Sequence, residues 1–176
     1  GDVTLDAVDG AGLIVNDFGG EVTTTATGNA NLVDINSLTL GATDVGGDLG
    51  ATATGALEMG ATDVGGALAA SGTSVTLTGR TSVGTTTDLT STGVSGNITA
   101  TGDNVFGGVI TTTATGNAHL VDLNSLTLGA TDVGGSLTVS GTSVTLTGTT
   151  SVGTNTSLTS TGVSGNITAT GDNDFG

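Results

Sequence analysis

Along most of this chain, apolar and polar residues alternate with a period of two, in short runs closed by glycine, asparagine, aspartate or serine. In Ser-Val-Thr-Leu-Thr-Gly (74–79), Val75 and Leu77 point one way while Thr76 and Thr78 point the other. Asn-Ile-Thr-Ala-Thr-Gly (97–102), Ser-Leu-Thr-Leu-Gly (37–41) and Ser-Leu-Thr-Val-Ser-Gly (136–141) repeat the pattern. Strict alternation with β-branched residues predicts half-buried strands of about four to six residues, joined by turns that the small polar residues supply. No apolar stripe of helical period is present, and proline, which would interrupt a strand ladder, is absent.

The strands belong to an internal repeat. Residues 16–47 recur at 104–135, displaced by 88, with substitutions at Asp17/Val105, Glu21/Val109, Val22/Ile110, Asn31/His119 and Ile35/Leu123. Residues 71–107 recur at 140–176, displaced by 69, with changes at Arg80/Thr149, Thr86/Asn155, Asp88/Ser157 and Val105/Asp174. The displacements differ by 19, the length of an extra unit, 48–66, that ends in a third copy of Gly-Ala-Thr-Asp-Val-Gly-Gly (41–47, 60–66, 129–135). A stack in which each unit touches only its neighbours tolerates such gains and losses; a closed globule does not.

An apolar residue followed shortly by glycine closes segments at Phe18, Val45, Val64, Val83, Val94, Phe106, Val133, Val152, Val163 and Phe175. The spacings are 27, 19, 19, 11, 12, 27, 19, 11 and 12. If each 11–12 pair makes one turn, the chain makes about eight turns at ~4.8 Å each, a rod of roughly 38 Å. The expected fold is all-β: a parallel β-helix (β-solenoid) of about eight turns of roughly 19–27 residues. It is expected to fill 1–176 as one array, with units 16–103 and 104–172 related by duplication. The chain closes on Asp-Phe-Gly where the earlier copies read Phe-Gly-Gly, so a segment of a longer polypeptide is expected.

Composition sharpens the function classes. Three phenylalanines, Phe18, Phe106 and Phe175, are the only aromatics, so the core must bury many small aliphatic side chains. The 35% hydrophobic content argues against disorder. Sixteen acidic residues face one basic residue, Arg80, for a net charge of −15. Nucleic acid is excluded as a partner and anionic membrane surfaces are disfavoured, because both are held by lysine and arginine. No apolar run is long enough to span a bilayer, so membrane insertion is not expected. With no cysteine, disulfides and thiolate metal sites are excluded.

The phrases Gly-Asp-Val-Thr-Leu-Asp (1–6), Asn-Asp-Phe-Gly-Gly (16–20), Ser-Leu-Thr-Leu-Gly-Ala (37–42, 125–130) and Gly-Gly-Ser-Leu-Thr-Val (134–139) resemble the repeats of large filamentous-haemagglutinin-like bacterial adhesins. The resemblance implies a right-handed parallel β-helix, secretion by a two-partner or autotransporter route, and a cell-surface or released location. It also implies attachment or fibre building. The partners expected are the protein itself, through adjacent turns or stacked subunits, and host or neighbouring-cell surface glycans or proteins.

Candidate chemistry is sparse. His119 has Asp122 and Ser125 nearby, but its counterpart in the other copy is Asn31, so a surface substitution is the favoured reading over a catalytic triad. Glu21 and Glu58 are the only glutamates, and Val109 replaces Glu21 in the second copy, which disfavours a carbohydrate-cleaving carboxylate pair. No catalytic residue and no cofactor are expected. Asp44, Asp63 and Asp132 share one repeat position, and Asp103 and Asp172 another; stacked, they are candidate Ca²⁺ ligands. Turn chemistry is the favoured reading of all five.

Thr-x-Thr pairs begin at Thr25, Thr52, Thr76, Thr90, Thr99, Thr113, Thr145, Thr159 and Thr168. Outward ladders of this kind suit an ice- or surface-binding solenoid, the alternative to a structural fibre, although an ice plane needs one flat array. Positions 25, 52, 76 and 99 are expected to stack, and 90, 113, 145 and 159 are not. The phenylalanines are expected inside and Arg80 outside.

Overall fold

The computed structural model describes residues 3–5 and 16–176. Of the phrase at residues 1–6, only the strand Val3–Leu5 lies within them. The described residues contain strands and turns and no helix, and every strand pairing is parallel. The chain is a β-solenoid of about eight turns. Its strands fall into two sheets of eleven strands each, one on either side of the coil.

Each turn has a long side and a short side. On the long side an eight-residue strand such as Leu38–Val45, or a pair such as Leu57–Met59 with Thr62–Val64, bends in the middle. The short side is a single strand such as Leu49–Ala53. The bend falls at Gly41-Ala42, where the ladder between Glu21–Ala26 and Leu38–Val45 shifts register. The corner after the long side is crowded: a Cβ on Gly46 would lie 2.7 Å from the carbonyl oxygen of Thr27 one turn below. Gly65 and Gly84 stack above it in the same close approach, so the glycine directly after the valine is a steric requirement of the corner.

The alternation is borne out in burial. Leu38, Leu57, Val75, Ile98, Ala118 and Leu137 form one inward column, paired strand to strand, and Leu40, Met59, Leu77, Ala100, Leu120 and Val139 form the next. A fully buried leucine contributes roughly 1.5–3 kcal/mol, and repetition supplies in number what the missing aromatics would supply in size. Threonine also turns inward at the bend. Thr24, Thr43, Thr62 and Thr81 form a buried column on one sheet; Thr112, Thr131 and Thr150 form its counterpart on the other. Thr62 and Thr131 donate to the carbonyls of Gly60 and Gly129 at 3.1 and 3.2 Å.

Turn length follows from register. Leu49 pairs with Leu68, 19 residues on, so the extra unit 48–66 has the length of one turn. Val75 pairs with Ile98 and Ser82 with Val105, both displaced by 23, as the 11–12 spacing implied. The extra residues form a loop whose tip is Val94, fully exposed, as is Val163 in the second copy. These two valines close no strand. The 27-residue spacing from Phe106 to Val133 is not one turn, because the two residues lie on different sheets. Among the described residues, the only 27-residue step in the ladders is from Val3 to Ala30.

That difference exposes a feature of the whole rod. In the first half the long sides lie in one sheet, with Ala30–Asp34, Leu49–Ala53, Leu68–Gly72 and Thr87–Ser91 as short sides in the other. At Val109–Ala114 the roles exchange: this long-side strand pairs with the short strand Thr87–Ser91, and the short strand Ala118–Val121 stacks on Ile98–Ala100. The duplicated halves are therefore half a turn out of phase.

Candidate functional site

Because the long side bends inward, its outer surface is shallowly concave. In the first half this groove has a volume of about 300 Å³ and is lined by Thr23, Thr25, Asp44, Asp63, Arg80 and Ser82. The column Thr25–Asp44–Asp63–Ser82 runs along its floor, one residue per turn. The second half repeats the groove, about 410 Å³, with Thr111, Thr113, Asp132, Thr149 and Ser151 at the matching positions. The half-turn phase puts the two grooves on opposite sheets. Threonine, serine and aspartate side chains line both, presenting methyl and methylene surface as well as hydroxyls and carboxylates, and only the first has a cation, since Thr149 replaces Arg80. Such surfaces can exchange hydrogen bonds with hydroxyl-rich or amide-rich partners; nothing in them positions a nucleophile beside a base.

Among the candidate Ca²⁺ ligands, only Asp44 and Asp63 stand in direct register. Asp132 lies on the other sheet between Thr113 and Ser151, and Asp103 and Asp172 are exposed at separate turns. Among the described residues no group of three or more histidine, cysteine or acidic side chains is placed to hold a metal ion. Glu21 and Glu58 share a column with Thr39 between them, both exposed. His119 is exposed between Thr99 and Thr138, Asp122 is buried, and Ser125 accepts from Ser143 at 2.8 Å. The three side chains are engaged separately.

The threonine columns differ from the expectation. Thr25 and Thr52 lie on different sheets, Thr76 does stack with Thr99, and Thr90 stacks with Thr113. Thr127, Thr145 and Thr168 make a column of three. Elsewhere the columns are interrupted: Glu58 and His119 flank Thr76–Thr99, and Ser71 and Asp132 flank Thr90–Thr113. The phase exchange breaks any single flat array. Phe106 is buried and Phe18 packs on the core, as expected, but Phe175 in the last turn is 43% exposed. Arg80 is exposed.

The polar residues that do most for the geometry were not singled out in the sequence for that role, Asp122 having been weighed only as a neighbour of His119. Asp34, fully buried, accepts hydrogen bonds from the N–H of Asn36 at 3.1 Å and of Phe18, one turn below, at 3.4 Å. Asn16 donates to the carbonyl of Val33 at 2.8 Å. Asp122 repeats this with Asn124 (2.8 Å) and Phe106 (3.2 Å), and Asn104 with Val121 (3.1 Å). Each set latches one turn to the next through a buried carboxylate. A signal was present: these asparagines and aspartates are unchanged between copies, whereas their neighbours Asp17/Val105 and Ile35/Leu123 differ.

The family model for repeats of unknown function (DUF5649) matches residues 27–58 and 115–176. This chain belongs to that family. The two DUF5649 matches begin 88 residues apart, at equivalent positions of the duplication, and both include a latch aspartate. The first stops inside the extra turn 48–66. Neither a curated protein nor a solved structure matches the chain.

Proposed function

We propose that this DUF5649 chain is a passive structural section of an extracellular fibre or stalk, secreted or held at a cell surface, without catalysis or a bound cofactor. The observation that carries the reading is the uninterrupted ladder: strand after strand pairs with the turns above and below, through both sheets, across the whole described array. Such a rod spaces or displays, and its length is set by the number of turns. A surface of threonine, serine and aspartate columns with a single basic residue gives proteases of basic or aromatic preference few sites, which suits exposure outside a cell. The reading extends to adhesion, in keeping with the resemblance to filamentous-haemagglutinin-like adhesins. The two hydroxyl- and carboxylate-lined grooves are the surfaces that would hydrogen-bond host or neighbouring-cell glycans or proteins.

Electron microscopy of the native material tests it. Thin rods with an axial repeat near ~4.8 Å are expected. Compact particles without that repeat would sink the proposal.

A further inference from the structure

Asp44 and Asp63 hold no turn. Both lie within strands, Leu38–Val45 and Thr62–Val64, exposed and side by side in register. Asp48, by contrast, closes a corner by accepting from the N–H of Ala67 at 2.8 Å. Among the described residues no side-chain hydrogen bond or ion pair engages Asp44, Asp63 or Arg80. Like charges directly opposite on adjacent strands destabilise a sheet, so the pair costs the rod stability and returns none to it.

Their surroundings form two rows along the rod. The polar row is Thr25–Asp44–Asp63–Ser82, one residue per turn. Two residues earlier on the same outward face runs a row of small side chains, Thr23, Ala42 and Ala61, which Arg80 ends. The second groove repeats both rows on the opposite sheet: Thr113–Asp132–Ser151, with Thr111, Ala130 and Thr149 beside them. The pattern persists through the half-turn exchange, although neither row contributes to the core.

These rows specify a ligand by its repeat. The ladder fixes their pitch at ~4.8 Å and keeps them straight over ~14 Å. An extended peptide is out of step, since its same-face side chains recur every ~6.6–6.8 Å. A pyranose chain joined through equatorial 1,4 bonds is a straight, flat ribbon, and its advance per ring is close to the ~4.8 Å strand spacing. An α-1,4 chain coils away from a straight row. The ring faces of the ribbon carry C–H groups, which suit the methyls of Thr23, Ala42 and Ala61. Its edges carry hydroxyls, which donate to Asp44 and Asp63 and exchange hydrogen bonds with Thr25 and Ser82, while Arg80 donates to ring or hydroxyl oxygens. The carboxylates repel a polyanion, and Arg80 opposes a polycation in the first groove.

We propose that each groove binds a neutral, linear β-1,4-linked glycan laid parallel to the rod axis. The inference rests on the reading of the grooves as glycan-facing surfaces and names the glycan's linkage and direction. With one groove on each sheet, the rod holds two such chains on opposite sides and ties one to the other.

Methyl NMR of the full chain reads the grooves separately, through Ala42 and Ala61 in the first and Ala130 in the second. Cellotetraose is titrated as the β-1,4 probe and maltotetraose as its α-1,4 counterpart. Both sets of methyls should shift with cellotetraose, at an affinity about tenfold above that for maltotetraose, the margin of one hydrogen bond. R80T, which installs the residue of the second copy, should weaken the first groove alone by about tenfold, and T149R should strengthen the second by as much. D63A should weaken the first groove yet raise the urea midpoint slightly, because the like-charged neighbour of Asp44 is gone. An aspartate with a structural role would lower that midpoint. Equal affinities for the two tetraoses, with R80T and D63A still weakening both, would overturn the linkage and leave the glycan-facing reading standing. Methyls that shift with neither sugar would overturn both.

Discussion

At Asp122 a carboxylate sits inside an apolar rod and holds two backbone N–H groups from successive turns. Burial pushes its carboxyl above the ordinary value of 3.8, and the hydrogen bonds from Asn124 and Phe106 oppose this less strongly. A carboxyl with a raised folded value binds its proton more readily in the folded than in the unfolded chain. Its contribution to stability is therefore fully present below pH 3.8 and is lost as pH rises through the raised value. Repulsion among sixteen acidic residues has the same sign, so the wild-type slope alone assigns nothing. Asp122→Asn should separate the two. Urea midpoints from mildly acid to neutral pH should fall less steeply in the variant. The variant should also be less stable by about 1–3 kcal/mol, because its amide leaves one of the two donors unpaired. An unchanged slope would place the whole effect in surface repulsion.

The element in this fold is the turn, and the sequence was most legible here. Alternation located strands such as Val75–Leu77 and Ile98–Ala100 and oriented them correctly, because a period of two leaves only two faces to choose between. What it could not separate was an apolar residue before glycine at a corner from the same pair at a loop tip. Val83 is buried and Val94 is bare, although each is followed closely by glycine. Inward threonines were missed for a related reason: Thr62 at the bend and Thr76 on the outer face look alike until the bend is known. The latch aspartates were not picked out, Asp34 not at all and Asp122 only as a neighbour of His119, since Phe18 and Phe106, which they bind, lie a full turn away in the chain. A turn that touches only its neighbours should be removable. Deleting 48–66 joins Gly47 to Ala67 and gives Gly-Ala-Thr-Asp-Val-Gly-Gly followed by Ala-Leu-Ala-Ala-Ser-Gly. The second copy already runs in this way, from 129–135 into Ser-Leu-Thr-Val-Ser-Gly. The shortened chain should keep its β circular dichroism and unfold in one transition, with a rod shorter by ~4.8 Å. Loss of the β signal would show that this turn has contacts beyond its neighbours.

For the whole molecule, the consequence of the duplication lies in its phase. Asp44 and Asp132 occupy one repeat position, yet the rod presents them on opposite sides, because the displacement of 88 carries the chain an extra half turn. The displacement of 69 adds another half turn, so the two together, a displacement of 157 from Asn16 to Asn173, return the duplicated pattern to its own side. A chain in which residue 176 is followed directly by a second 20–176 therefore has a definite expected form. Eight further turns should lengthen the rod by about 38 Å without a kink, as read from small-angle scattering and from particle lengths in micrographs. Phe175 should become buried at the join, and the longer chain should melt higher than the single one, because each added turn brings its interfaces with both neighbours. A chain extended by 20–107 alone should grow by only about half as much and should carry its new groove on the same sheet as the first groove. Two rods flexibly tethered at the join, each melting as the single chain does, would mean that eight turns do not restore the phase.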